Sequence, residues 1–182
     1  MNWPNRLSLT RMACVPLLAA LMTFDAQPWT RIAALAVFIA ASITDFVDGW
    51  WARKYQIVTN FGKFIDPVAD KLLVLSAMVL LGAKGLLPAW LTVLVLMREL
   101  AVDGLRLIAS QRGQVIAAGK LGKIKTICQM VMVIAHLVLY AGLQLPLGLP
   151  GWLLLPSRIA VVVMTLWSGV DYFVRNREVL HD

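Results

Sequence analysis

Apolar residues run along this chain in long blocks, separated at near-regular intervals by short polar clusters. Six blocks can be drawn, at roughly 8–24, 31–50, 66–86, 88–109, 126–144 and 152–174. Most reach the ~20 residues that an α-helix needs to cross a bilayer. The first is short, and the fourth is interrupted by Arg98, Glu99, Asp103 and Arg106. The pattern predicts a single all-α domain over residues 1–182, a bundle of six transmembrane helices whose backbone polar groups are satisfied within each helix. Asn2-Trp3-Pro4-Asn5 reads as a short interfacial segment ahead of the first helix, with Trp3 suited to the headgroup level.

The polar clusters divide into two kinds. Asp25-Ala26-Gln27-Pro28, Leu87-Pro88 and the stretch 145–150 read as turns on one side of the bilayer. Residues 53–65 and 109–125 read as basic loops on the other. Pro67 is tolerated in a helix's first turn, which puts Asp66 and Asp70 at the start of the third helix.

Composition strengthens the membrane reading. The chain is 60% hydrophobic with a mean hydropathy of +0.76, whereas soluble domains are about half apolar or less. Of its 17 lysines and arginines, only Arg31, Lys84 and Arg158 fall on the side opposite the termini. That asymmetry places both termini in the cytoplasm. The opening residues lack a cleavable-signal pattern, and no Arg/Ser-rich transit segment is seen, so a bacterial cytoplasmic (inner) membrane is expected. The net charge of +7 is confined to membrane-proximal segments, which favours anionic headgroups and phosphorylated substrates over nucleic acid. Cys14 and Cys128 sit in apolar helices without metal-ligand spacing and read as buried thiols.

The candidate chemistry is concentrated in one stretch, Asp45-x2-Asp48-Gly49-x2-Ala52-Arg53-x8-Gly62-x3-Asp66-x3-Asp70. The spacings i,i+3 and i,i+4 put each pair of aspartates on one helix face. Four carboxylates gathered by two helices repel one another unless one is neutralised or a cation binds. Hard oxygen ligands suit Mg²⁺ or Mn²⁺. Two such ions beside an arginine and glycines, at a membrane surface, point to phosphoryl chemistry. A second constellation is cationic. Arg98 and Arg106 are nearly superposed on one helix face, and Lys120-Leu121-Gly122-Lys123-Ile124-Lys125 follows in sequence. Arg98, Arg106, Lys123 and Lys125 together suit a phosphorylated acceptor, because guanidinium forks match phosphate oxygens and ammonium groups add point charge.

The aspartate stretch resembles the signature of the CDP-alcohol phosphotransferases at every defined position. The resemblance implies that Asp45, Asp48, Asp66 and Asp70 hold the metal ions and that Asp70 is also the general base. It implies that Arg53 pairs with a nucleotide phosphate, while Gly49, Ala52 and Gly62 leave room for the nucleoside of a CDP-lipid. Pro4-Asn5-Arg6-Leu7-Ser8-Leu9-Thr10-Arg11 is similar to an N-terminal element of bacterial members, adding Asn5 and Thr10 to the CDP-lipid contacts. Two extra residues intrude there, so either Ser8 or Thr10 can be the equivalent position. Met97-Arg98-Glu99 and Gly119–Gln129 look like the phosphatidylglycerophosphate synthase branch, which implies CDP-diacylglycerol as donor and sn-glycerol 3-phosphate as acceptor. A homodimer is implied by the resemblance alone.

Competing readings make different demands. A six-helix cation or proton transporter needs acids strung across the bilayer or an inverted repeat, and this chain has neither. The same donor with serine, inositol, inositol phosphate or a lipid as acceptor is compatible with the aspartates and is opposed only by the basic constellation. A membrane scaffold leaves the acids unexplained. Glu99 and Asp103 read as ion-pair partners of neighbouring cations, His136 as a hydrogen-bonded core residue, and Asp171 as the helix-surface partner of Arg175.

Overall fold

The computed structural model describes the backbone of residues 3–55, 60–112, 116, 119–143 and 149–180. It describes their side chains apart from 3–8, 45–55, 60–67, 70, 120, 149–153 and 179–180. Six helices follow in order: α1 (Trp3–Thr23), α2 (Pro28–Tyr55), α3 (Asn60–Ala83), α4 (Ala89–Gln111), α5 (Lys120–Tyr140) and α6 (Leu149–Arg175). A 3₁₀ turn at Arg177–Leu180 closes the described chain.

Each apolar block has become a helix, but three boundaries differ from the sequence reading. Trp3 opens α1 itself and not a separate interfacial segment, because Pro4 falls in the first helical turn, where its missing N–H costs nothing. The segment 53–65 is mostly helix. Phe61, Phe64, Ile65 and Val68 keep the i, i+3, i+4, i+7 period, so α3 starts at Asn60 and Pro67 is its eighth residue. The basic run at 120–125 belongs to α5, since Leu121, Ile124 and Cys128 extend that helix's apolar period back to Lys120. Arg53, Gly62, Lys123 and Lys125 therefore stand on helices.

α1 packs on α2 and α3, α5 on α6, and α4 on α3 and α6, while α5 also reaches α2 and α3. All six helices supply the fully buried core, through Leu18, Met22, Phe38, Leu73, Met78, Leu81, Leu91, Val95, Met132, Leu137 and Val161. Ala34 and Ala41 on α2, with Ala69 and Ala77 on α3, are buried as well, which lets these backbones approach closely. α3 and α5 stop the same way. Gly85 and Gly142 adopt φ of 70° and 69°, and the next residue donates back five positions, from Leu86 N to Leu81 O (2.9 Å) and from Leu143 N to Val138 O (3.3 Å). Only glycine enters that left-handed well without a Cβ penalty.

The distribution of polarity is that of a membrane protein. Leu155, Ile159, Val163, Leu166, Val170 and Val174 form an exposed stripe down α6, and Trp90, Val93, Met97, Leu100 and Leu107 form one on α4. Meanwhile Arg11, Glu99, Lys125, Gln129 and His136 are buried inside the bundle. Stripes of that extent cannot face water without association; facing lipid, they are solvated. Among the described residues, Leu121–Tyr140 and Leu154–Arg175 meet the length and hydropathy needed to cross a bilayer outright.

The bundle end that holds the α1–α2, α3–α4 and α5–α6 turns is tied by two polar knots. Asp25 accepts from the Tyr140 hydroxyl (2.8 Å) and pairs with Lys84 (3.0 Å) and Arg31 (3.6 Å). One turn deeper, His136 Nδ1 donates to the Met132 carbonyl (2.7 Å), so its Nε2 is free to accept from Arg158 Nε (3.0 Å), whose Nη2 reaches the Leu86 carbonyl (2.6 Å). The three cations set apart by the charge count thus each have a partner. The Tyr140 hydrogen bond, followed by that from Lys84, holds the Asp25 carboxyl below the usual carboxylate range. A depressed folded pKa contributes stability above the unfolded value of about 3.9 and loses it as pH falls through the folded value. Asp25→Asn is therefore expected to melt below wild type at neutral pH, with the gap closing as pH drops under about 4. A gap that stays constant down to acid pH removes the carboxylate from this role.

Candidate functional site

The aspartates sit at matched depths. Asp45 lies ten residues before the end of α2, and Asp70 ten residues after the start of α3. At 1.5 Å per residue each is ~15 Å along its helix from the 56–59 connection. Asp48 and Asp66 lie seven and six residues from it, or about 10 Å. Their side chains are outside the described residues, as are those of Asn5, Gly49, Ala52, Arg53 and Gly62. As a donor set, four carboxylates carried on two levels, about 5 Å apart, by two successive helices suit hard divalent cations.

Next to that level a cavity of about 400 Å³ opens between the helices. Ser42, three residues before Asp45, and Lys71, one residue after Asp70, both line it, so the cavity adjoins the aspartate-bearing parts of α2 and α3. Arg98, Arg106, Lys123 and Lys125 all line it too. The structure brings together residues that the sequence could only place on two separate segments. With Arg11 and Lys71, six cationic side chains face two carboxylates, Glu99 and Asp171.

The four predicted cations differ in how they are held. Arg98 is mostly buried, with Nη1 3.6 Å from Glu99 Oε1 and with its Nε lacking a partner. Gly169 on α6 packs against it, at a distance where a Cβ would stand 3.4 Å from Arg98 Cγ, at the near edge of ordinary contact. Arg106 donates from Nε to the Tyr172 hydroxyl (2.9 Å), in a small cluster with Val102, Leu105 and Ala109. Lys123 is exposed at the rim. Lys125 is only 4% exposed, and its ammonium donates to Glu99, which leaves it as a charge beneath the cavity wall more than a free hand.

Glu99 organises this charge. It is 4% exposed and faces Lys125, Arg98 and, at 3.6 Å, Lys71. Lys71 also pairs with Asp103. One carboxylate from α4 therefore restrains cations from α3, α4 and α5 that otherwise repel each other. Asp171, in the cavity lining, pairs at 2.7 Å with the exposed Arg175 one turn further along α6. Thr10 is at the surface of α1 and does not line the cavity, whereas the next residue, Arg11, is buried and does.

Sequence reasoning counted Arg11 and Lys71 only as membrane-proximal charge, and gave no role to Tyr172 or Ser168. Lys71 carried a usable signal, being adjacent to Asp70 on a helix. Tyr172 carried none, because its partner Arg106 lies 66 residues away.

Comparison with known proteins bears on the family of the chain. The family model for CDP-alcohol phosphatidyltransferase matches residues 1–170. A Bacillus subtilis (strain 168) protein named CDP-diacylglycerol–glycerol-3-phosphate 3-phosphatidyltransferase is 42% identical over 191 aligned positions, covering 98% of this chain and 97% of its own length. An Arabidopsis thaliana protein named CDP-diacylglycerol–glycerol-3-phosphate 3-phosphatidyltransferase 2 is 36% identical, covering 97% of this chain and 80% of its own length. A Cereibacter sphaeroides protein with the same activity in its name is 40% identical over 79% of this chain and 67% of its own.

Proposed function

Because the chain belongs to the CDP-alcohol phosphatidyltransferase family, we propose that it moves the phosphatidyl group of CDP-diacylglycerol to sn-glycerol 3-phosphate. The products are phosphatidylglycerophosphate and CMP, a step of anionic phospholipid synthesis. The observation that carries the acceptor is the convergence of Arg98, Arg106 and Lys123, with Lys125 behind them, on one cavity beside the aspartate helices. An acceptor without net negative charge, such as serine or inositol, leaves that excess of cations without a purpose.

Asp45, Asp48, Asp66 and Asp70 are the residues to hold two divalent ions, Mg²⁺ or Mn²⁺. Ions held there would supply neutralising charge to the donor's pyrophosphate and to departing CMP. Arg53 pairs with a nucleotide phosphate, and Gly49, Ala52 and Gly62 give the nucleoside space, with Asn5 and Thr10 at the N-terminal edge. Arg98 and Arg106 fix the acceptor's phosphate so that its terminal hydroxyl meets the lipid-proximal phosphorus. Asp70 takes the hydroxyl proton as the new P–O bond forms and the bond to CMP breaks. The charge asymmetry supports six spans in a bacterial inner membrane, with both termini and this site facing the cytoplasm, where soluble glycerol 3-phosphate and CMP exchange freely. The family resemblance supports a homodimer.

Purified protein in detergent, given CDP-diacylglycerol and Mg²⁺, is expected to release CMP with glycerol 3-phosphate and not with serine, inositol or inositol phosphate. EDTA should stop release, and excess Mg²⁺ or Mn²⁺ should restore it. Turnover with a different acceptor would overturn the reading of the basic cavity and leave the aspartate chemistry in place.

A further inference from the structure

One neutral side chain in the cavity wall has no partner. Gln129 lies one helical turn beyond Lys125 on α5 and is 4% exposed, and its amide Nε2 is buried without a hydrogen bond. The serine and threonine hydroxyls of the same wall are otherwise engaged. Ser42 donates to the Phe38 carbonyl (2.8 Å), Thr126 to Gly122 (3.1 Å) and Ser168 to Thr165 (3.4 Å). The Tyr172 hydroxyl accepts from Arg106. Leu73, Val74 and Met130 line the same cavity, and the Gln129 amide nitrogen is itself shielded from bulk water, so its bare N–H is costly. A buried donor left open in this way calls for an acceptor atom from a ligand.

Which atom it meets follows from charge. The cavity already supplies arginine and lysine for a phosphate, and a neutral amide adds little beside them. A neutral amide suits a neutral hydroxyl oxygen. Resting on the acceptor assignment above, we propose that Gln129 is a specificity-determining residue that donates from Nε2 to the acceptor's secondary hydroxyl, the one that does not react. Sites built around a substrate hydroxyl discriminate against analogues lacking it, because their own polar group is then left unpaired.

The test compares glycerol 3-phosphate with 3-hydroxypropyl phosphate, which keeps the phosphate and the reacting hydroxyl and lacks the secondary one. Binding is read by ligand-induced thermal stabilisation of the purified protein, and turnover by CMP release. Wild type is expected to favour glycerol 3-phosphate by about tenfold. Gln129→Met, close in shape and without donors, should reduce that preference to near unity while leaving the KM for CDP-diacylglycerol unchanged. Gln129→Leu repeats the test should the methionine variant not fold. A preference that survives in the variants overturns the assignment, and so does a wild type that treats both ligands alike. Equal loss of both ligands would move Gln129 to the phosphate and overturn it too. A binding preference present in wild type and lost in the variants, with no CMP release from any of them, would keep Gln129 in this role and refute phosphatidyl transfer.

Discussion

Replacing Asp70 by asparagine is expected to cut CMP release by about 10²–10⁴-fold, the range that a positioned general base contributes. The change keeps side-chain volume and removes one negative charge and the proton-accepting oxygen. A second readout separates chemistry from folding. Four carboxylates at matched depth on α2 and α3 repel one another when no cation is present, so removing one should leave metal-free stability unchanged or raised. The thermal stabilisation given by added Mg²⁺ should shrink at the same time, because the ion loses a ligand. An Asp70→Asn protein that turns over at near wild-type rate takes Asp70 out of the mechanism. One that is inactive and also melts far below wild type assigns the residue to the fold instead.

The second large effect is expected at Glu99. Its carboxylate is buried and faces Lys125, Arg98 and Lys71. Removing one member of a buried pair strands the other charge, at a cost of about 3–5 kcal/mol. For a chain of this size that corresponds to a fall in Tm on the order of 10 °C. Glu99→Ala is the variant to make, compared with Glu99→Leu combined with Lys125→Met. The double change removes both charges of the closest pair and should recover much of the loss. Failure of the double variant to recover stability would mean that Glu99 acts through Arg98 and Lys71, or through packing alone. Glycerol 3-phosphate should stabilise the Glu99→Ala protein more than it does wild type, since the ligand's phosphate then supplies the missing negative charge.

The two predictions bear on sites that were unequally legible. The aspartates are read entirely from spacing, because four acids within 26 residues of an apolar chain form a local pattern. The helices beneath them were legible for the same reason: blocks of about 20 apolar residues have few alternatives in a bilayer. Helix ends were harder. The segments at 60–65 and 120–125 mix lysine and glycine with apolar residues, so composition argued for loop while periodicity argued for helix, and periodicity prevailed. Pro4 misled in the same way, since a proline that opens a helix looks in sequence like one that separates two segments.

By itself, then, the sequence determined the apolar, membrane-type character of the chain, the number of helices, the pairing of the aspartates on two successive helices and the family, all consequences of patterns within a few turns of one another. Tertiary structure alone decided how the basic cavity is built. Arg98 and Lys125 are 27 residues apart, Lys71 and Asp103 are 32, and Arg106 and Tyr172 are 66. Separations of that size carry no period, so nothing in the string says that Lys125 is committed to Glu99 while Lys123 stays open at the rim. The same holds for His136, which has no partner on its own helix beyond a carbonyl and finds Arg158 only when α5 packs on α6. Burial decides which charges must pair, and burial exists only once the helices have met.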